Sequence, residues 1–280
     1  IVPTSTIQNI MNCVDKAGLD VAGLVIKPLS AALGVLSPEE ALAGAVVVDI
    51  GGGTTSVSVF FDGRPKHLGL LSVGGDHITN DVGSVLKLPL NKAEEIKKQI
   101  SVFTPPEDPE ETVDFVYNSR NYSVSKQELH EIVRCRLEEL FDVLVRPEIK
   151  AAGIPMLPAG IILTGGVSKT EGLDSFVLDM MDLPARASAP LDANRMPPGR
   201  NTQEYSSAAG IIRYVIEKER YPLRYLDNQL VARGVPDNSN RPIVREALVS
   251  ISGKNNSGDS SSGRRFEPLD SLKKMFQELF

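Results

Sequence analysis

The chain has 280 residues, 36 acidic against 30 basic side chains, a net charge of −6, and 41% hydrophobic against 24% charged content. That composition can bury one large core or two modest ones and excludes wholesale disorder. The acidic balance, without a basic and aromatic surface pattern, argues against nucleic acid as the main partner, and no apolar run approaches the roughly 20 residues that span a bilayer.

From Thr4 or Ser5 as a cap, Ile7, Ile10, Met11, Val14 and Ala17 recur at helical spacing until Gly18 supplies a stop. A short apolar strand is expected around Leu24 to Ile26, and Pro28 then opens a second helix through Leu29, Ala32, Leu33 and Leu36. Cys13 and Cys135 are far apart in the chain and sit among apolar residues at helical spacing. They are expected to be buried free thiols rather than a disulfide or a metal pair, which fits a reducing cytoplasm.

The stretch Ala45 to Thr55, AVVVDIGGGTT, is the most informative in the chain. An apolar strand delivers Asp49 to its C-terminal end, Gly51, Gly52 and Gly53 let the backbone turn tightly towards an anion, and Thr54 and Thr55 offer donors to phosphate oxygens. Such an arrangement suits phosphate and a metal ion. A plain glycine-rich turn between two strands has the same appearance, so the reading depends on what accompanies it.

Strands at Val57 to Phe61 and Lys66 to Leu71 are joined at Asp62-Gly63, a dipeptide that favours a tight hairpin. Gly74-Gly75-Asp76 leads into a helix with Ile78, Val82, Val85 and Leu86 on one face, and a second helix holds Ala93 to Lys98. Beyond Ser101 a proline-rich, acidic stretch opens an insertion with a strand pair around Val113 to Val124. Ser125 to Glu128 then reads as a capping box starting a helix with Leu129, Ile132, Val133, Leu137, Leu140, Phe141 and Leu144, kinked or ended by Pro147.

A second apolar strand ends in a flexible turn at Gly160 to Ser168, followed by a helix through Leu173, Phe176, Val177 and Met180. Ligands of open α/β sheets bind beyond the carboxyl ends of strands, so two such turns imply two edges of one nucleotide site. Tyr205 to Ile212 is a small-residue helix start that allows close packing.

The succession DIGGGTT, GGDHITNDV, AEEIKK, an insertion, ILTGGVSKTEGL and EYSSAAGII resembles the second half of the actin-like ATPases. Among these it is most similar to the bacterial cell-division FtsA family, from Ile1 to about Leu226. The resemblance implies an α/β fold of the actin-like, ribonuclease-H-like kind with a small inserted α+β subdomain. It also implies that the N-terminal half of the family fold, including the first phosphate loop, lies before Ile1; the start without methionine is read the same way, and nucleotide binding by this chain is expected to be weak at most. On this pattern residues 1–43 are a remnant of the first domain, 44–103 and 158–226 the nucleotide-binding subdomain, and 104–157 the inserted subdomain.

Carried over from the family, Asp49 to Thr55 are the second phosphate loop, with Asp49 the catalytic acid near magnesium and its waters. Glu94 and Lys97 match the acid and base flanking ribose and adenine, with Gly165, Gly166 and Ser168 in the adenosine loop. ATP and Mg2+ are the implied cofactors. Two departures stand out: Ser56 occupies a position where members commonly carry an acid, and Pro184 to Pro198 has no clear helix. His77 has no companion at ligand spacing and is assigned no role.

Residues 227–265, with Lys254 to Gly263 at their centre, have the composition of a flexible tether. At its end, in residues 266–280, Leu269, Leu272, Met275, Phe276, Leu279 and Phe280 fall on one helical face, which suits a membrane interface, a partner's groove or the body of the protein itself. The resemblance implies a cell-division scaffold and at most a slow ATPase. Such a scaffold self-assembles into filaments, holds the tubulin-like FtsZ to inner-membrane lipids through this terminal helix, and works at the cytoplasmic face of the bacterial inner membrane at the division site. A pilus-assembly adaptor or a sugar or metabolite kinase of the same superfamily are the alternatives.

Overall fold

The computed structural model describes residues 4–220 apart from 22, 109 and 118, so the expected tether at 227–265 and the amphipathic segment at 266–280 lie outside the described residues. The chain divides into two compact units, one of residues 26–215 and one of residues 1–25 with 216–280. The latter contains α1 (Thr4–Lys16), whose run stops at Gly18 as the spacing requires. Cys13 on this helix is free but exposed, contrary to expectation. The strand expected at Leu24 to Ile26 does not form; Leu24 and Ile26 are exposed and no described strand pairs with them.

The unit of residues 26–215 is built on a five-stranded sheet in the order β3-β2-β1-β6-β7. Its strands are β1 (Ala45–Ile50), β2 (Thr55–Phe61), β3 (Arg64–Leu71), β6 (Ile161–Thr164) and β7 (Ala185–Ala187). β1 pairs antiparallel with β2 and parallel with β6, and β7 continues the parallel half. Asp62 and Gly63 both take positive φ in the β2–β3 turn, the geometry that the hairpin expectation requires. Side-chain alternation along β1 sends Val46, Val48 and Ile50 to one face and Ala45 and Val47 to the other. On the first face they meet α4 (Gly75–Val85), α5 (Leu90–Lys97), α6 (Lys126–Glu138) and α8 (Leu173–Met181) in the larger core. On the second they meet Ala32 and Val35 of α2 (Lys27–Val35) and Phe60 and Ile162 of the sheet. Burial on both faces explains why β1 is uninterruptedly apolar up to Asp49, and each such Val or Ile contributes about 1.5–3 kcal/mol.

The insertion contains an antiparallel pair, β4 (Thr112–Tyr117) and β5 (Arg120–Ser125), with Phe115 and Tyr122 stacked at 5.4 Å. Ser125 caps α6 by accepting from the Glu128 amide. The regular α-helix gives way shortly before Pro147. A π-helical turn over Glu139–Val145 leads directly into α7 (Arg146–Ala151), where Pro147 sits in the first turn and its missing N–H costs nothing. Cys135 is exposed, not buried, because Leu129, Val133, Leu137 and Leu140 carry the covered face and Cys135 lies on the other side. Val85, at the end of α4, is likewise exposed.

Two short elements escape the sequence reading. α3 (Pro38–Ala43) is set by a reciprocal capping box between Ser37 and Glu40, and β7 carries Arg186, which reaches Glu40 at 2.6 Å. The segment after Pro184 thus supplies a strand where no element was expected.

The small-residue stretch beginning α9 (Ser206–Arg220) lies against α2. A Cβ on Gly210 would stand 1.7 Å from the Ser30 carbonyl oxygen, and one on Gly34 2.1 Å from that of Ser206, so the two backbones meet with no room for side chains. Gly210→Ala is therefore expected to lower stability by about 1–3 kcal/mol. Gly53→Ala, which meets nothing within 4 Å, should change it little; thermal unfolding of the two variants tests this contrast.

Candidate functional site

The site forms where the parallel strands β1 and β6 end. Asp49 and Thr164 are register partners, and each follows by two residues an apolar side chain of the α2 face, Val47 and Ile162. Alternation therefore turns both polar groups towards α2 and α9 at the carboxyl edge of the sheet. Thr164 Oγ1 lies 2.6 Å from Ser206 Oγ and donates within reach of the Ser188 and Gln203 carbonyls.

Asp49 is buried, and its Oδ2 gathers three partners: Lys27 Nζ at 3.2 Å, the Ser207 hydroxyl at 3.1 Å and the Ser56 hydroxyl at 3.5 Å. Ser56 thus donates towards Asp49, where an acid would repel it. The other oxygen, Oδ1, faces Gly165, where a Cβ would come within 2.5 Å of it. Gly165 has φ 85°, a left-handed conformation that glycine adopts without strain, so both its backbone angle and its lack of a side chain are required there.

The loop after β1 closes on itself through the Gly51 amide to the Thr54 carbonyl at 2.9 Å. It is held from above by the amides of Gly75 and Asp76, which donate to the carbonyls of Gly51 and Gly52 at 2.9 and 2.8 Å. The two threonines have different fates. Thr55 is fully buried and donates to the Val73 carbonyl at 2.7 Å, which fixes the loop, while Thr54 remains partly exposed with its hydroxyl 3.4 Å from Lys27 Nζ. Ser168 is similarly occupied, its buried hydroxyl donating to the Gly165 carbonyl at 2.8 Å. Gly166 remains beside Glu204, which pairs with Lys169 at 2.7 Å.

Glu94 and Lys97 join the same assembly. Lys97 Nζ bonds Glu94 at 2.5 Å, Thr79 Oγ1 at 2.8 Å and the Gly75 carbonyl at 3.1 Å, so the pair is tied through Gly75 to the loop at Gly51. Partial burial pushes the Glu94 carboxyl upward, but hydrogen bonds from Lys97, Thr79 and Lys98 outweigh it and bring its pKa from 4.5 down to about 2. Beside it, Asp76, Thr79, Asn80, Leu90, Asn91 and Glu94 line a cleft of about 290 Å³. Val167 closes the triangle, since its methyl group lies against Gly75. His77 accepts the Gly74 amide at 3.2 Å and serves the start of α4.

The structure therefore brings the two glycine turns and the Glu94–Lys97 pair together, and adds Lys27 and Ser207, which sequence reasoning missed. The available signal for Lys27 was its place just before Pro28, at the start of a helix packed on the Asp49 strand.

A family profile described as Cell division protein FtsA matches residues 46–210, a stretch that contains both glycine turns and the Glu94–Lys97 pair. The chain belongs to the FtsA family. It is 34% identical over 216 residues to the Cell division protein FtsA of Pseudomonas aeruginosa, covering 76% of this chain and 52% of that protein. The chain spans about half the length of the curated FtsA relatives it matches. MreB5 of Spiroplasma citri bound to AMPPNP superposes with a TM-score of 0.65 at 18% identity, covering 80% of this chain and 68% of that one. A MamK double helical filament superposes with a TM-score of 0.57 at 17% identity, covering 77% and 66%. These likenesses show the actin-like ATPase fold for this FtsA-family chain.

Because the Glu94 carboxyl is depressed, its contribution to stability is complete above about pH 4.5 and is lost as the pH falls towards 2. With its side chain 37% exposed, the contribution is screened to about 1 kcal/mol. Glu94→Gln is thus expected to be less stable than the unaltered chain at pH 7 and equally stable near pH 2, as measured by urea unfolding across that range.

Proposed function

We propose that this chain is part of an actin-like, ATP-binding scaffold of bacterial cell division, one that holds FtsZ filaments at the cytoplasmic face of the inner membrane and recruits other division proteins. The observation that carries the nucleotide part is the meeting of two glycine turns at the carboxyl ends of adjacent parallel strands, with Asp49 between them. Backbone amides of Gly51 to Gly53 and the Thr54 hydroxyl are suited to phosphate oxygens. The Glu94–Lys97 pair, beside its cleft, is assigned to the ribose and adenine. The nucleotide named with the MreB5 structure supports the same assignment.

In this reading residues 44–103 with 158–226 form the nucleotide-binding subdomain, and residues 104–157 form the inserted subdomain that engages FtsZ. Assembly is head to tail. A heterologous contact of that kind extends into filaments rather than closing into a dimer, and the filament named for MamK supports it. The chain acts as an assembly protein, with ATP turnover slow at most. Family membership favours this role over the pilus adaptor and the kinase.

Membrane attachment is assigned to residues 266–280, where Leu269, Leu272, Met275, Phe276, Leu279 and Phe280 fall on one face of a helical projection and Lys273 and Lys274 stand beside it. Co-sedimentation with anionic vesicles is expected to pellet the 280-residue chain and to leave a version lacking residues 266–280 in the supernatant. Equal behaviour of the two forms, bound or unbound, would contradict the membrane assignment.

A further inference from the structure

The magnesium ion that the fold family implies does not fit the acid that would hold its water shell. Asp49 Oδ2 is occupied by an ammonium group and two hydroxyls, and Oδ1 is packed against the Gly165 backbone. With the Asp49 side chain only 7% exposed, little of the carboxylate is open to a hydrated ion. A divalent ion placed there would also lie beside the Lys27 charge and be repelled by it. Among the described residues no group of three or more His, Cys, Asp or Glu side chains offers an alternative metal site.

Lys27 does more than satisfy Asp49. Its Nζ also lies 3.4 Å from Thr54 Oγ1 and 3.2 Å from where a Cβ of Gly51 would be, so the ammonium stands inside the loop assigned to phosphate. Its side chain is 38% exposed, which leaves donor capacity facing the loop opening. The carboxylate on one side and the Thr54 hydroxyl on the other fix it there, and the start of α2 at Lys27, followed by Pro28, fixes the backbone that carries it.

We infer that Lys27 is a built-in cation that takes the place of the divalent ion in this site. It neutralises Asp49 in the empty protein and the polyphosphate of a bound nucleotide, so nucleotide binding is independent of magnesium. This inference rests on the nucleotide reading above for its second half only; exclusion of the metal from Asp49 stands by itself.

Two measurements on the 280-residue chain and on Lys27→Gln separate these parts. The first titrates ATP by calorimetry in Mg2+ and in EDTA. The unaltered chain should show affinities within twofold of each other, and Lys27→Gln should bind at least tenfold more tightly with Mg2+ than without. The second follows paramagnetic broadening by Mn2+ of the Gly51 to Thr54 amides without nucleotide, with broadening expected in Lys27→Gln and not in the unaltered chain. A tenfold or greater Mg2+ requirement in the unaltered chain overturns the inference. So does equal Mn2+ broadening in both proteins, or none in either. If neither protein binds ATP, the nucleotide reading fails, and the Mn2+ contrast still decides whether Lys27 occupies the metal's place. Lys27→Arg, which keeps the charge, should behave as the unaltered chain in the Mn2+ experiment and shows that any effect of Lys27→Gln is not one of misfolding.

Discussion

The arrangement of the site depends on one constraint, a carboxylate at the end of a strand that is buried on both faces. Asp49 follows Val47 on the α2 side of the sheet, and alternation leaves its side chain almost wholly covered. An isolated buried charge costs several kcal/mol even after relaxation, so it has to be neutralised and hydrogen-bonded where it stands. Lys27 supplies the charge, and Ser207 and Ser56 supply the hydroxyls. These partners come from α2, from the neighbouring strand β2 and from α9, whose Ser207 lies 158 residues along the chain, so satisfying one carboxylate draws together elements near and distant in sequence.

Close packing elsewhere serves the same end. Gly34 and Gly210 let α2 and α9 approach until their backbones touch, which sets Lys27 and Ser207 on either side of Asp49. Gly165 lets the β6 turn come down onto the remaining oxygen, and Thr164 ties that turn to Ser206. A third layer, Gly75 with Lys97 and Glu94, hangs from the Gly51 carbonyl. The loop that could receive phosphate is thus pinned on three sides before any ligand arrives, which is the preorganisation that binding a highly charged group requires.

Much of this is written in the sequence where local rules apply. The apolar run to Asp49, the hairpin at Asp62-Gly63, the Ser125 cap and the two glycine turns all follow from period and turn chemistry, and the structure forms each of them. Errors arise where tertiary packing decides. The apolar triplet at Leu24 found no pairing strand, Cys135 shares helical spacing with core residues yet lies off the covered face, Cys13 is exposed on a helix with no buried side chain among its described residues, and β7 is too short and too polar to announce itself. The largest omission was Lys27. Its place just before Pro28 marks a helix start but not a charge partner, and its role is visible only once α2 is laid across the end of β1. Thr55 and Ser168 show the converse: their motifs suggest a phosphate donor and an adenosine-loop contact, whereas burial directs the Thr55 hydroxyl to the Val73 carbonyl and that of Ser168 to the Gly165 carbonyl.

The most direct measurement is a two-dimensional amide NMR titration of the chain with ATP. Saturable shifts concentrated at Gly51 to Thr54, Gly75, Gly165 and Gly166 are the predicted result, because those amides line the pinned turns around Asp49. Shifts confined to other parts of the chain, or none at these amides while the protein remains folded, would contradict the account.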